Sequence, residues 1–241
     1  MKFWKGDVTK PLVSVSIVTY NHEYFIESTL DSILDQVTNF SFEVVIGDDF
    51  SLDKTKEKLK KYKLKYPNII KLILHKSNIG AQANFSYVSY SCIGKYIAHI
   101  DGDDLMLPRK LQIQVDFLDK NKDFIAVGHP VRVFDSDTNK TILKYDLRFL
   151  KCFKEKFSKD DILSGAPFAH SSKMYRKEAI ESMQIDLKTK NVGDYLMHIQ
   201  HGSLGKFGCI DKVLGEYRIH DKSQNSINMS NKMKALDDVI Y

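Results

Sequence analysis

The first half of the chain alternates between two hydrophobic rhythms. Residues 13 to 19, "VSVSIVT", are β-branched and apolar and predict a strand, whereas "HEYFIESTLDSILDQV" sets Ile26, Leu30, Ile33 and Val37 at helical spacing. A second strand follows in "FEVVIG" (42 to 47), then a lysine-rich helix, "DKTKEKLKKYKLKY" (53 to 66), with Thr55, Leu59, Tyr62 and Tyr66 as its inward stripe. "IIKLIL" (69 to 74) predicts a third strand, and residues 79 to 92 a helix with Ala81, Phe85, Val88 and Cys92 on one side. "KYIAHI" (95 to 100) is the fourth strand. Pro108, suited to the first turn of a helix, opens a stripe of Leu111, Val115 and Leu118. Such βαβα succession predicts an α/β fold with a mostly parallel central sheet and helices on both faces.

Beyond "FIAVGHPVRVF" (124 to 134) the rhythm changes. Residues 135 to 168 are polar and irregular; then come a short strand and helix in "SSKMYRKEAIESM", a helix from about 193 to 201, and a strand pair at "FGCID" and "VLGEYRIH". This reads as a second, smaller lobe built onto the same sheet. The terminal "NKMKALDDVIY" reads as a helix cut short or as an ordinary amphipathic terminal helix.

Composition narrows the class. At 241 residues, with 43% apolar and 28% charged residues, the chain fits one globular unit with a sizeable core. No stretch approaches the roughly 20 apolar residues of a membrane span. "MKFWKGDVTK" lacks the apolar centre of a secretory signal, so the expected compartment is the cytoplasm. Cys92, Cys152 and Cys209 are widely spaced with no CxxC, which reads as reduced thiols filling small apolar sites and offers no zinc framework. The net charge of +5 would suit an anionic partner, but only five of the 36 basic residues are arginine, and the lysines of 53 to 66 read as a solvated helix face.

The chemistry gathers at strand ends. Ligands of open α/β sheets bind beyond the carboxyl ends of the strands, and three such ends carry polar loops: "TYNHE" (19 to 23), "GDDFS" (47 to 51) and "DGDDL" (101 to 105). If these strands are neighbours, Asp48, Asp49, Asp101, Asp103 and Asp104 share one crevice. So many carboxylates tolerate joint ionisation poorly and call for a cation. Hard oxygen donors point to Mg²⁺ or Mn²⁺, and Mg²⁺ is commonly held by one or two carboxylates together with substrate phosphates. No Walker loop is present, and no GxGxxG follows the first strand; "GSLGKFG" (202 to 208) comes after a helix and reads as a loop. A metal bridging the crevice to a nucleoside diphosphate is the simplest chemistry these residues support.

"VSVSIVTYN", "VVIGDDFSLDKT", "GKYIAHIDGDDLMLPRKL" and "VGDYLMHIQHGSLGKFGCIDKVLGEYRIH", in that order and spacing, resemble the successive motifs of family-2 inverting glycosyltransferases of the GT-A fold. The resemblance covers roughly residues 12 to 225. It implies a single GT-A domain over 1 to 225, with a nucleotide-sugar half over about 12 to 134, an acceptor half over about 135 to 225, and a helical tail over 226 to 241. Thr19, Tyr20 and Asn21 match the loop that contacts the uridine, and Asp49 the aspartate that reads the uracil. Asp101 and Asp103 match the DxD motif, with Asp103 as metal ligand and Asp101 contacting ribose or diphosphate. Asp194 matches the catalytic base, although Gly193 stands where many members carry glutamate. Arg218 and His220 match a late segment near the diphosphate and metal, with His220 a second metal ligand. The implied partners are a UDP-sugar donor, a glycan or lipid-linked glycan acceptor of bacterial surface polysaccharide synthesis, and Mn²⁺ or Mg²⁺. No nucleic acid is implied; peripheral association with the cytoplasmic membrane face is.

Each residue also has a plainer use. Asp is favoured in turns and helix caps, which would account for Asp48 and Asp49, for the DGDD run before Pro108 and for Asp194 as an N-cap. His198 and His201 read as a satisfied or surface pair, and Phe25, Phe85 and Phe117 as core. Two other function classes share the α/β and Mg²⁺ signature in part. A sugar nucleotidyltransferase would show a glycine-rich basic loop after the first strand, which "TYNHEYF" is not. A non-catalytic carbohydrate-binding module would have no use for both a metal pair and a separate carboxylate.

Overall fold

A computed structural model describes residues 9–143, 156–157, 169–181 and 200–220. The predicted alternation is present: β1 (Val13–Thr19), α1 (Ile26–Leu34), β2 (Phe42–Asp48), α2 (Thr55–Lys65), β3 (Ile70–Leu74), α3 (Ala81–Tyr90), β4 (Tyr96–Asp101), β5 (Leu105–Met106), α4 (Lys110–Lys120) and β6 (Phe124–Gly128). Then follow β7 (Val131–Asp135), β8 (Thr141–Leu143), β9 (Lys156–Phe157), β10 (Met174–Arg176), α5 (Glu178–Glu181), β11 (Lys206–Cys209) and β12 (Gly215–Ile219).

An eight-stranded sheet runs β3-β2-β1-β4-β10-β6-β11-β9, and a four-stranded sheet runs β5-β12-β7-β8. Strands β3, β2, β1 and β4 are mutually parallel; β10 enters antiparallel between β4 and β6. β1 alternates large apolar residues with serines. Val13, Val15 and Ile17 pack with Ile26, Leu30 and Ile33 of α1 and with Leu111, Val115 and Leu118 of α4. On the other face Val45, Ile97 and Tyr175 pack with Phe85 and Val88 of α3. Each buried side chain of this size contributes roughly 1.5–3 kcal/mol of transfer free energy, so both sheet faces are held.

Several boundaries differ from the sequence pattern. α1 stops at Leu34, and Val37 is 54% exposed. Ala81 begins α3 but faces solvent. The expected strand pair of the second lobe is not a pair: β11 joins β6 in the large sheet, whereas β12 lies beside β5 and β7 in the small one. Hydrophobic pattern identifies strands but carries no information on which neighbour each chooses. Residues 191–199, and with them Asp194, His198 and most of the helix expected there, lie outside the described residues, as do Cys152 and the tail from 226. Among the described residues no helix is long and apolar enough to cross a membrane.

Candidate active site

Because β1 lies between β2 and β4, the three polar loops meet. Register sets Thr19 opposite Asp48 and Val18 opposite Asp101. Asn21 then ties the first loop to the second: its backbone N–H donates to Ser51 Oγ (2.9 Å) and its Oδ1 accepts from Leu52 N–H (2.8 Å). Asn21 has φ 56°, a left-handed conformation that asparagine tolerates better than most residues. Tyr20, beside it, is exposed at the rim. Thr19 is buried, with Oγ1 3.2 Å from His22 Nδ1.

The second loop is braced by its own aspartates. Asp48 is fully buried and its Oδ2 accepts from Ser51 N–H (3.1 Å). Asp49, 3% exposed, accepts from the backbone N–H groups of Ile79 (2.7 Å) and Gly80 (2.9 Å), one on each carboxylate oxygen. It therefore holds the turn into α3, where Gly80 has φ +91°.

In the DGDD run the three carboxylates point different ways. Asp101 Oδ1 accepts from His99 Nε2 (3.2 Å). Asp103 Oδ2 lies 3.1 Å from His220 Nε2 and 3.8 Å from His22 Nε2. Burial opposes ionisation of Asp103, but the hydrogen bond from His220 and the charges of His22 and His220 outweigh it, and the carboxyl sits below its usual range. Asp104 is turned into the junction of the two sheets, 1% exposed, with Oδ1 accepting from Arg218 N–H (3.0 Å). Burial, with the charges of Asp103 and Asp101, pushes its carboxyl well above the usual range. Lys110 is buried nearby, its Nζ on Ser171 O (2.7 Å). The expectation that Asp48, Asp49, Asp101, Asp103 and Asp104 share one open crevice is thus corrected: Asp48, Asp49 and Asp104 are buried beneath it. The like charges are separated by giving each its own donor.

β12 closes the site from the small sheet. Arg218 Nε donates to Asp103 O (2.7 Å), and its guanidinium lies between the rings of Phe25 and Phe134, 4.9 and 4.8 Å from their centroids. The His220 ring packs on Phe25 at 4.4 Å. Phe25, expected in the core, is instead a half-buried platform for Arg218 and His220. His201, by contrast, is fully buried beside Tyr175.

The structure thus brings Thr19, Asn21, Asp101, Asp103, Arg218 and His220 to one end of the sheets, with Tyr20 at the rim and Asp49 behind the second loop. His22 and His99 are also there and were not singled out, and Phe25, expected in the core, joins them. A lone histidine or phenylalanine carries no spacing signal; only the adjacency of β1, β4 and β12 exposes them. Gly102 shows how tight the packing is, since a Cβ there would stand 2.6 Å from Thr19 Oγ1 and 2.8 Å from His22 Nδ1.

Among the described residues no three His, Cys, Asp or Glu side chains could hold a metal by themselves. Asp103 and His220 offer two donors 3.1 Å apart. An imidazole nitrogen and a carboxylate oxygen are donors that could hold Mn²⁺ or Mg²⁺, and with two such side chains the remaining donors would have to come from substrate and water.

The sheet order and the acidic loops at the ends of β1, β2 and β4 define the class, a GT-A-type α/β domain. The family model described as "Glycosyl transferase family 2" matches residues 14–183, and the chain belongs to that family. It is 32% identical over 212 residues to an uncharacterized protein of Mycobacterium tuberculosis, covering 86% of this chain and 59% of that protein. It is 30% identical over 229 residues to the putative teichuronic acid biosynthesis glycosyltransferase TuaG of Bacillus subtilis, covering 94% and 84%. The chain thus spans 59% of the length of the mycobacterial relative. Among solved structures, S. aureus TarS in complex with UDP-GlcNAc superposes with TM-score 0.70 at 20% identity, covering 89% of this chain and 60% of that one. The mannosyltransferase PcManGT from Pyrobaculum calidifontis, in complex with GDP-Man and Mn²⁺, gives 0.68 at 18%, covering 95% and 64%.

Proposed function

We propose that the chain is a metal-dependent inverting glycosyltransferase domain that moves a sugar from a nucleoside diphosphate sugar, with UDP the expected nucleotide, to a hydroxyl of a glycan or lipid-linked glycan. The observation that carries this reading is the Asp103–His220 pair at 3.1 Å, flanked by Asp101 and Arg218 where three strand-end loops meet.

Inverting transfer is one in-line displacement at the anomeric carbon through an oxocarbenium-like transition state. Asp103 and His220 would hold Mn²⁺ or Mg²⁺, which when bound supplies charge stabilisation to the departing diphosphate without proton transfer. Arg218, held between two rings, keeps a permanent positive charge beside Asp103 for the same leaving group. Asp101, 3.2 Å from His99 Nε2 through Oδ1, is the carboxylate that the resemblance assigns to a ribose hydroxyl or the diphosphate. Thr19, Tyr20 and Asn21 line the nucleoside side. Asp49 is assigned to the uracil by the resemblance alone; its carboxylate is buried on the Ile79 and Gly80 N–H groups, so it would have to reach the base across the second loop. Asp194, from the resemblance alone, is the general base that takes the proton of the acceptor hydroxyl, a role worth typically 10²–10⁴-fold.

The names of the relatives support the finer points. TarS is described with UDP-GlcNAc, PcManGT with Mn²⁺, and TuaG by teichuronic acid biosynthesis. A surface-polysaccharide role, the division into nucleotide and acceptor halves and a cytoplasmic place at the inner membrane face are part of the same proposal. Thermal-shift measurements with UDP-, GDP-, CMP- and dTDP-sugars, with Mn²⁺ or EDTA, test it: the reading expects one nucleotide class to raise the melting temperature, and only with metal. Stabilisation indifferent to EDTA refutes the metal role, and full turnover by Asp194→Asn refutes the base.

A further inference from the structure

β12 leads to Arg218 and His220 and belongs to the small sheet, whereas the DGDD turn follows β4 of the large one. On the β5 edge of β12 the backbone ladder runs from Leu107 N–H on Leu214 O (2.9 Å), through Gly215 opposite Met106, to Glu216 opposite Leu105. The two chains are close there, since a Cβ on Gly215 would stand 3.1 Å from His129 Cε1 and 3.3 Å from Leu105 O. Past Glu216 this ladder stops. The next backbone N–H of the β5 chain, that of Asp104, is donated back to Asp101 O (3.2 Å) and closes the turn.

The Asp104 side chain takes over at that point. Its Oδ1 accepts from Arg218 N–H (3.0 Å), and in return Arg218 Nε donates to Asp103 O (2.7 Å). Each chain thus meets the other's backbone through a side chain. Asp104 is 1% exposed, and burying its carboxyl beside Asp103 and Asp101 is costly, so its place there calls for a reason. The Arg218 N–H needs only an acceptor, which an ionised and a protonated carboxyl both supply. Ile219 turns the other way, its O accepting from Ser136 N–H (2.9 Å) beside β7. His220 follows directly, with Nε2 3.1 Å from Asp103 Oδ2. The Arg218 N–H is therefore the last backbone tie to the turn before that imidazole.

We propose that Asp104 is the positioning residue of His220: by holding the Arg218 N–H it docks the end of β12 on the DGDD turn, sets the imidazole against Asp103, and so governs affinity for the divalent ion. This rests on the reading that Asp103 and His220 hold that ion. Of the two adjacent aspartates, Asp103 then faces the ligand and Asp104 faces the strand that delivers the second donor.

The test compares Asp104→Asn with Asp104→Leu. Both keep the branched shape of aspartate; asparagine keeps the acceptor and leucine removes it. Hydrogen exchange of the Arg218 amide is read by NMR, and Mn²⁺ binding in the presence of UDP by calorimetry, each variant alone and combined with His220→Ala. The expected result is that Asp104→Leu speeds Arg218 exchange about tenfold or more and weakens Mn²⁺ binding about tenfold, the scale of one lost buried hydrogen bond. Asp104→Asn stays within about threefold of wild type in both, and Asp104→Leu causes no further loss of Mn²⁺ affinity once His220 is alanine. A general loosening of the fold would carry its loss into the His220→Ala background. Should Asp104→Leu not fold, Asp104→Ala takes its place against Asp104→Asn. Wild-type exchange and affinity in Asp104→Leu, an equal loss in Asp104→Asn, or an equal loss in the His220→Ala background overturns the proposal. If the wild-type protein binds no Mn²⁺ with UDP, or His220→Ala binds it normally, the functional reading fails instead. Arg218 exchange still decides the docking by itself, so the two failures are told apart.

Discussion

Replacing Gly102 by alanine adds one methyl at the centre of the site. The glycine is not in the left-handed region, since Gly80 is the positive-φ glycine among the described residues, so backbone strain is not the issue. On that ground alone Gly→Ala would stabilise by about 0.4–1 kcal/mol through the unfolded chain. The added Cβ, however, would stand 2.6 Å from Thr19 Oγ1, 2.7 Å from Thr19 Cβ and 2.8 Å from His22 Nδ1, against 3.4 Å for ordinary contact. Thr19 is at the end of a central strand and cannot retreat, so the DGDD loop must move outward. Overpacking of this kind costs roughly 1–3 kcal/mol. The overlap outweighs the entropy gain, leaving a net loss of about 1–2 kcal/mol, a fall in melting temperature of a few degrees for a domain of this size. Binding should suffer more, because Asp101 and Asp103 flank the displaced residue; Mn²⁺-dependent UDP affinity should drop at least tenfold. Gly80→Ala is the control: its Cβ meets nothing within 4 Å, but φ +91° makes it strained, so it should lose stability of order 1 kcal/mol with little change in Mn²⁺ affinity. Urea melts and calorimetry on both variants decide the matter. A Gly102→Ala protein with wild-type stability and wild-type UDP affinity would show that the loop is not packed as described.

Burial, reinforced by the charge of Glu43, pushes the Cys92 thiol up to about 12, so native protein at pH 8 should leave Cys92 unmodified by iodoacetamide until urea unfolds it, as read by peptide mass spectrometry. Burial also pulls the Lys110 ammonium down to about 7 against the opposing charge of Asp104. The unfolded chain then binds the extra proton between about pH 7 and 10.5, so this group makes stability rise with pH across that window; Lys110→Met should reduce the slope of unfolding free energy by up to one proton in a urea-melt series. Arg176 donates from Nε to Phe124 O (2.8 Å) and from Nη2 to Leu118 O (2.7 Å), both buried, and to Asn121 O (3.2 Å), which is partly buried. Arg176→Met strands those carbonyls and should cost about 3 kcal/mol or more in a urea melt, with Mn²⁺-dependent UDP affinity of the folded protein intact.

Much of this protein was legible before any coordinates. Periodicity located β1 to β4 and α1 to α4, because a strand or helix buried on the sheet must show its own repeat; Asp101 and Asp103 stood out as carboxylates at a strand end, whereas Arg218 and His220 were singled out only by the family resemblance. The pattern was silent wherever the deciding contact is long-range. It did not show that β11 and β12 part company into different sheets, since strand pairing depends on partners far along the chain. Nor did it separate Asp103, open to two imidazoles, from Asp104 one residue on, which is sealed under Arg218. Successive residues at a turn point to opposite sides, and which side holds the site is fixed by the packing of β12 and α4 against the loop. His22, Phe25 and His99 belong to the same lesson: each is ordinary in sequence, and only the meeting of β1, β4 and β12 places them against the aspartates.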